Sequence, residues 1–381
     1  ELSPTLKTEP ESKFCRQEWP ASSEKLEESR QFLIDTSKSS HPVLIVPDRD
    51  ADGLCASLIV MKTLQYLGRN SSDFVIHFIQ KGGTVHDEFE RKQMQDKLGQ
   101  EGFIYVVDSG SRGGRAIVDG EKRRTIIIDH HFSTEFPENS LALNASHYEP
   151  VATSSLLSYI LCKDLHPLVG QECAWLAITG TYGDLSASTK FTDFPNCDHL
   201  EDVAKKIGKK NFSETVSLLN APRRSPECNA IVAWNLLVKA SGPTDIIGNK
   251  RLEQVRQFVQ METEKWSHVK PVFSKDGKIA ILTIKCESQV HPVIAQKWAT
   301  FLKSSKLELV ACANVDYMPG RVNFSCRIAR CAVTRGDDVN LISLLKEYAN
   351  KKEGLPERIR GDISRPQVAA YRRTCGTNFV K

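Results

Sequence analysis

Short apolar runs of strand length alternate along this chain with segments whose apolar positions recur every three or four residues. Ser22 to Ser37, with Leu26, Phe32 and Leu33 set among charged positions, has the period of a half-buried helix. Val43-Leu44-Ile45-Val46, Phe74 to Ile79, Phe103 to Val107 and Thr125 to Ile128 read as strands, with helices at Leu54 to Leu67 and Glu88 to Leu98 between them. Strands that are apolar on both faces and separated by helices belong to a parallel sheet covered on both sides. Ser154–Cys162, Cys173–Tyr182, Phe212–Leu219 and Asn229–Lys239 then predict a helical region, and Arg251 to Val269 one long charged helix. A second alternation follows, with strand Lys278–Lys285, helix Pro292–Leu302, strands Leu307–Val315 and Arg321–Ile328 across the turn Tyr317-Met318-Pro319-Gly320, and helix Leu341–Tyr348. The expected fold class is α/β: a parallel doubly wound catalytic sheet with a helical extension, a long connector helix and a second, smaller α/β domain. The boundaries expected are a polar tail at 1–20, a first domain at 21–249, a connector helix at 250–272 and a second domain at 273–381 that ends in a basic tail.

Composition changes this picture little. With 381 residues the chain is long enough for two or three domains, and no apolar run approaches the 18 or so residues of a spanning helix, so no membrane partner is expected. Eleven cysteines without a CxxC pair point away from structural zinc and from a compact disulfide framework. Together with a start, Glu1-Leu2-Ser3, that has no charged-then-apolar leader, they make reduced thiols and an intracellular location the expectation.

Charge is more telling once divided. The total is +4, but residues 275–381 hold 19 basic against 10 acidic side chains, a net +9, which leaves −5 for residues 1–274. A basic last quarter is a prior for an anionic partner.

The acidic residues fall at predicted strand ends. Asp48-Arg49-Asp50-Ala51-Asp52-Gly53 follows the first strand, Val107-Asp108-Ser109-Gly110 ends the third, Ile128-Asp129-His130-His131 ends the fourth, and Gly180-Thr181-Tyr182-Gly183-Asp184 closes an apolar helix. One such Asp is ordinarily a cap or a turn residue. Four groups at successive carboxyl ends of one parallel sheet converge on a single edge. Alternate carboxylates in an extended segment face one point in space, where like charges repel unless a cation sits among them. A carboxylate-rich set with one or two His and no Cys suits Mn²⁺ or Mg²⁺.

In this order and at these intervals, the four motifs resemble those of the DHH phosphoesterase superfamily. Leu219-Asn220-Ala221-Pro222-Arg223-Arg224 is similar to the Asn-Ala-x-x-Arg motif of the RecJ-like branch of single-strand-specific exonucleases, and Val322 to Arg327 is similar to the Ser-x-Arg strand of the DHH-associated domain. Val46 stands where several other branches carry a His. The resemblance implies two divalent cations, Mn²⁺ first and Mg²⁺ second in expectation. Asp50 and Asp108 would hold one, Asp52, Asp108, His130 and Asp184 the other, with Asp108 as bridge. His131 would contact the substrate phosphate, Asp129 would orient the histidines, and Asp48 would be a ligand or a support. Asn220, Arg223, Arg224, Ser325, Arg327 and Arg360 become candidates for substrate contacts, Arg360 within a segment, Arg360-Gly361-Asp362, that departs from the family's Gly-Gly-His.

The activity implied is that of a RecJ-like exonuclease, which releases nucleotides from single-stranded DNA or RNA by metal-hydroxide attack on phosphorus. A phosphoesterase on short oligonucleotides, cyclic dinucleotides, nucleotide 3′-phosphates or polyphosphate is the alternative. A RecJ-like scaffold without catalysis stands third, because all five core ligands are present.

Overall fold

The computed structural model describes residues 18–341. Ser22 caps α1 (Ser23–Lys38) by accepting the Lys25 N–H, and the chain then enters the first sheet through β1 (Val43–Pro47). It continues through α2 (Ala51–Tyr66), β2 (Phe74–Ile76), α3 (Glu88–Leu98), β3 (Gly102–Val107), β4 (Arg123–Asp129) and β5 (Ser140–Asn144). All five strands are parallel, in the order β2-β1-β3-β4-β5. Because β2 and β3 lie on opposite sides of β1, the chain reverses its winding between β1 and β3, and the crevice beyond their carboxyl ends is where such sheets bind ligands.

Alternation of side chains along each strand feeds two cores. Val43, Ile45, Tyr105, Val107, Ile126 and Ile128 pack with α1, α2 and α4 (Ser154–Cys162). Leu44, Val46, Ile104, Val106 and Ile127 pack on the other face against Met94 and Leu98 of α3. Tyr105 is fully buried and donates its hydroxyl to Thr36 Oγ1 at 2.7 Å. Tyr105→Phe should lower unfolding free energy by about 1 kcal/mol in denaturant titration, since the lost hydrogen bond lies in the core.

A helical extension follows, with α5 (Pro167–Glu172), α6 (Ala174–Leu185), α7 (Asp198–Ile207), α8 (Lys209–Arg224), α9 (Ile231–Leu237) and α10 (Lys250–Ser267). The second sheet comprises β6 (Val272–Phe273), β7 (Ile279–Ile284), β8 (Leu309–Met318) and β9 (Arg321–Ile328), in that order, with α11 (His291–Phe301) after β7 and α12 (Arg330–Arg335) after β9. β7 and β8 are parallel and the outer pairs antiparallel. Ala280, Leu282, Ile284, Ile294, Val310 and Cys312 form its core.

Several elements differ from expectation. β2 stops at Ile76 although the apolar run continues to Ile79. α8 runs on through Asn220-Ala221-Pro222-Arg223-Arg224. Pro222 lies in its last turn, where it forgoes a single ladder N–H. The connector helix ends at Ser267, and residues 272–273 pair as a strand with β7. β5, β6, α5, α7 and α12 are not among the expected elements. Trp19, expected in the tail, donates its indole N–H to Pro150 O at 2.7 Å and packs beside Phe194. The expected helix Leu341–Tyr348, residue Arg360 and the basic tail lie outside the described residues, apart from Leu341 itself. Among the described residues no helix is long and apolar enough to cross a membrane.

Candidate metal centre

At the winding reversal β1 ends beside β3, and the Asp48 N–H continues their ladder by donating to Val107 O at 3.0 Å. The turn that follows is built by Asp50, whose Oδ1 accepts the Asp52 and Gly53 N–H groups, each at 3.1 Å, and so caps α2. Asp52 sits in the first turn of that helix with no solvent exposure. Its two carboxylate oxygens accept the Ser154 N–H at 2.8 Å and the Ser155 N–H at 3.0 Å, the free donors at the start of α4.

Asp108 ends β3 with its N–H on Ile128 O at 2.8 Å and a backbone φ of 63°, a left-handed conformation that Asp adopts at some cost. Its Oδ1 accepts the Ser154 hydroxyl at 2.7 Å and lies 3.2 Å from His130 Nε2. The same Nε2 is 3.0 Å from Asp184 Oδ2 on α6 and 3.8 Å from Asp52 Oδ2.

Asp129 anchors the histidines. Its Oδ1 accepts the His130 N–H at 2.7 Å, the His131 N–H at 3.1 Å and the His131 ring Nδ1–H at 2.7 Å. Burial pushes its carboxyl up, but His131 and His130 prevail and hold it below the usual range. Burial works against a charged His131 as well. The Asp129 carboxylate outweighs it and raises the ring to about 9, so His131 is a cation at neutral pH with Nε2 left for a ligand. Asn144 closes this corner by donating to His131 O and Ser111 Oγ, both at 2.9 Å.

The structure thus brings eight of the sequence candidates to one place. Asp48, Asp50 and Asp108 form one group of potential ligand atoms, Asp52, His130 and Asp184 a second, and Asp108, His130 and His131 a third, each with its atoms within 4.8 Å of one another. Asp48, whose place was open between ligand and support, stands among the ligand atoms of the first group. Electrostatics agree that this set is made for cations. Burial and the charges of Asp52, Asp50 and Asp184 hold Asp108 well above the usual carboxylate range. Burial and Asp184 push Asp52 up to about 6, and burial and Asp50 raise Asp48. Asp184 is the exception, its burial overridden by the hydrogen bond and charge of His130. Carboxylates that resist ionisation together are those a divalent ion stabilises, and an oxygen-rich set with one imidazole suits Mn²⁺ or Mg²⁺.

The expected substrate contacts divide. Arg223 Nη2 is 3.4 Å from Asp50 Oδ2, at the rim of the centre, while its Nε is buried and has no partner among the described residues. Asn220 Oδ1 accepts the Ala51 N–H at 3.0 Å, so its carboxamide oxygen braces the turn that carries the aspartates. Arg224 contributes its carbonyl to the second sheet's side, accepting the Gln289 N–H at 2.9 Å. Ser325 and Arg327 lie on β9. Burial first and Arg327 second depress the buried His291 at the start of α11 to about 3.

Sequence reasoning missed Ser154, Ser155, Ser111 and Asn144. Thr153-Ser154-Ser155 before an apolar run is a readable helix start, but nothing in the sequence shows that this start faces Asp52.

Residues 42–181 match the family model described as the DHH family, N-terminal domain. Over those residues the chain is similar to the DHH family. That family is one of hydrolytic phosphoesterases, and its fold is the one seen here. Among solved structures, RecJ from Thermus thermophilus in complex with Mn²⁺ aligns at 18% identity and TM-score 0.55, over 76% of this chain and 46% of that one. Exonuclease RecJ bound to manganese aligns at 18% identity and TM-score 0.53, over 76% and 80%. CDC45 from Entamoeba histolytica aligns at 10% identity and TM-score 0.50, over 86% and 91%. This chain therefore spans less than half the length of the Thermus RecJ it matches. No curated protein matches the chain by sequence.

Proposed function

We propose that this protein is a Mn²⁺- or Mg²⁺-dependent phosphodiesterase, a RecJ-like exonuclease that removes nucleotides from single-stranded nucleic acid. The observation that carries the reading is the convergence of Asp48, Asp50 and Asp108, and of Asp52, His130 and Asp184, on one partly buried edge of the sheet. In this reading Asp48, Asp50 and Asp108 hold one cation, and Asp52, Asp108, His130 and Asp184 the other. Two such ions supply a water deprotonated at neutral pH and a stabilising field for the attacking and leaving oxygens.

The chain's own residues do the remainder. Asp129 holds the His131 ring by its Nδ1–H and favours the charged form, so that Nε2–H donates to a phosphate oxygen. Arg223 adds a guanidinium at the rim, with donors that match phosphate geometry. Ser154 and Ser155 hold Asp108 and Asp52 in aim. A chain of phosphates is favoured over a lone ester by the exonuclease of like fold and by the net +9 of residues 275–381.

The likeness to CDC45 keeps a non-catalytic scaffold as the second reading. Digestion of single-stranded DNA and RNA, each labelled at one end and blocked at the other, separates the two. Wild-type protein with Mn²⁺ should shorten one of them progressively, and Asp184→Asn should not. A wild type that binds no Mn²⁺ in calorimetric titration and leaves every strand intact is a scaffold.

A further inference from the structure

The two sheets meet beside the metal centre along a seam of four segments: the loop after β2, the loop after α8, the stretch before α11 and the end of β8. At the middle of the seam lies Lys81. Its ammonium donates to Glu287 O at 2.9 Å and to Pro226 O at 3.2 Å, and sits 4.3 Å from the centroid of the Tyr317 ring. One side chain from the first sheet's lobe thus ties together the other three segments of the seam. An ammonium has three donors and no acceptor, and here two donors are used by carbonyls while the charge lies over an aromatic face.

The loop that presents Lys81 is itself clamped. Glu90, buried on α3, accepts the Gln80 N–H at 2.8 Å and faces His77 Nε2 at 2.8 Å, and Lys97 meets the other ring nitrogen at 2.8 Å. A Cβ on the next residue, Gly82, would come within 2.8 Å of Met318 Cε, so loop and β8 approach as closely as glycine allows. On the far side the loop after α8 reaches the metal-site turn, where Arg49 Nη1 is 2.9 Å from Cys228 Sγ. A continuous path therefore runs from the aspartate turn through Cys228 and Pro226 to Lys81, and from Lys81 to Glu287 and Tyr317 in the second lobe.

We propose that Lys81 is a positioning residue, a latch that holds the second lobe at fixed reach from the metal centre, so that one strand lying on both is kept in a single register. Its kinetic consequence rests on the phosphodiesterase reading above; the latch itself does not. Without Lys81 the direct seam keeps the Gln289 N–H on Arg224 O and the α8–α10 packing, and the lobes gain freedom.

Hydrogen exchange and kinetics on Lys81→Met and Lys81→Arg test it. Methionine keeps the stem and loses the donors. Arginine can serve both carbonyls and stack on Tyr317. In Lys81→Met the Gln289 amide should exchange about tenfold faster, as loss of a charged hydrogen-bond pair implies, and Lys81→Arg should stay near wild type. KM for a long single-stranded oligonucleotide should rise about tenfold in the methionine variant, with kcat for a chromogenic thymidine phosphodiester unchanged. Unaltered exchange at Gln289 overturns the latch. So does an equal loss on the small ester, which would place Lys81 at the reaction centre. If wild-type protein hydrolyses neither substrate, the functional reading fails while the exchange result still decides the latch.

Discussion

Asp108→Asn is expected to lower hydrolysis by at least about three orders of magnitude, the loss that follows when several kcal/mol of metal-borne stabilisation disappears, and at the same time to raise the melting temperature of the metal-free protein. The two effects have one cause. Asp108 is 3% exposed and is crowded by Asp52, Asp50 and Asp184, which hold its carboxyl well above the usual range. Asparagine removes that charge and still offers Oδ1 to the Ser154 hydroxyl.

The pH dependence follows in sign. A carboxylate whose folded pKa lies above its unfolded value takes up a proton on folding, so its contribution favours the fold at low pH and is lost as pH rises through the folded pKa. Asp52, at about 6 in the fold against about 4 unfolded, sets the window. The Asp52 contribution should therefore grow between pH 7 and pH 5, against the opposite trend of the depressed His291 and His86, so it is read as the difference between wild type and Asp52→Asn, and Mn²⁺ at pH 7 should restore what ionisation removes. Scanning calorimetry across that range, with and without Mn²⁺, reads all of this. An Asp108→Asn protein whose melting temperature Mn²⁺ still raises as it does in wild type would show that position 108 is no bridge.

Gly180→Ala is expected to be nearly as damaging, although alanine is the better helix former by about 1 kcal/mol. A Cβ at 180 would lie 2.2 Å from Ser155 Oγ, 2.5 Å from Ser155 Cβ and 2.7 Å from Asp52 Oδ1. Ser155 and Asp52 are both fully buried, so neither can step aside into solvent. Either α6 lifts off α4 or Asp52 turns away from its partners. The first outcome costs about 1–3 kcal/mol of stability, as overpacking does. The second displaces a ligand carboxylate by a distance that costs about a hundredfold in rate. Gly183→Ala is the control, since its Cβ would meet Ala51 Cβ at 3.1 Å and nothing else closer than 3.7 Å. Urea titration and steady-state hydrolysis of both variants decide. A Gly180→Ala protein as stable and as fast as Gly183→Ala would mean that this contact does not hold Asp52.

Legibility of the sequence followed a physical divide. Asp48 to Asp52, Asp108 and Asp129 to His131 were readable because each lies where a strand's apolar run stops, and the parallel-sheet rule says where such stops converge; Asp184, on a helix, came in through the motif resemblance. β5 escaped because Ser140-Leu141-Ala142-Leu143-Asn144 lacks β-branched and aromatic residues, and only its pairing with β4 makes it a strand. The end of α8 escaped because proline ordinarily ends a helix, whereas here it occupies the last turn and carries Arg223 to the rim. Ser154 and Ser155 were invisible as site residues for a different reason. Their role depends on which helix start packs against which carboxylate, a fact of tertiary structure that no local pattern encodes. Asn220 shows the converse, a motif residue found in place whose carboxamide oxygen serves the scaffold.

The left-handed backbone at Asp108 has a consequence beyond its aim. At φ 63° a residue with a side chain is held roughly 1–2 kcal/mol above its relaxed state, and glycine is the residue that would relieve it. Stability and activity therefore ask for different residues at this one position. Selection for a sturdier fold would accept glycine there and remove the proposed metal bridge. A lineage of this protein freed from the need to hydrolyse phosphodiesters has a first step towards a sturdier, inert scaffold ready at residue 108.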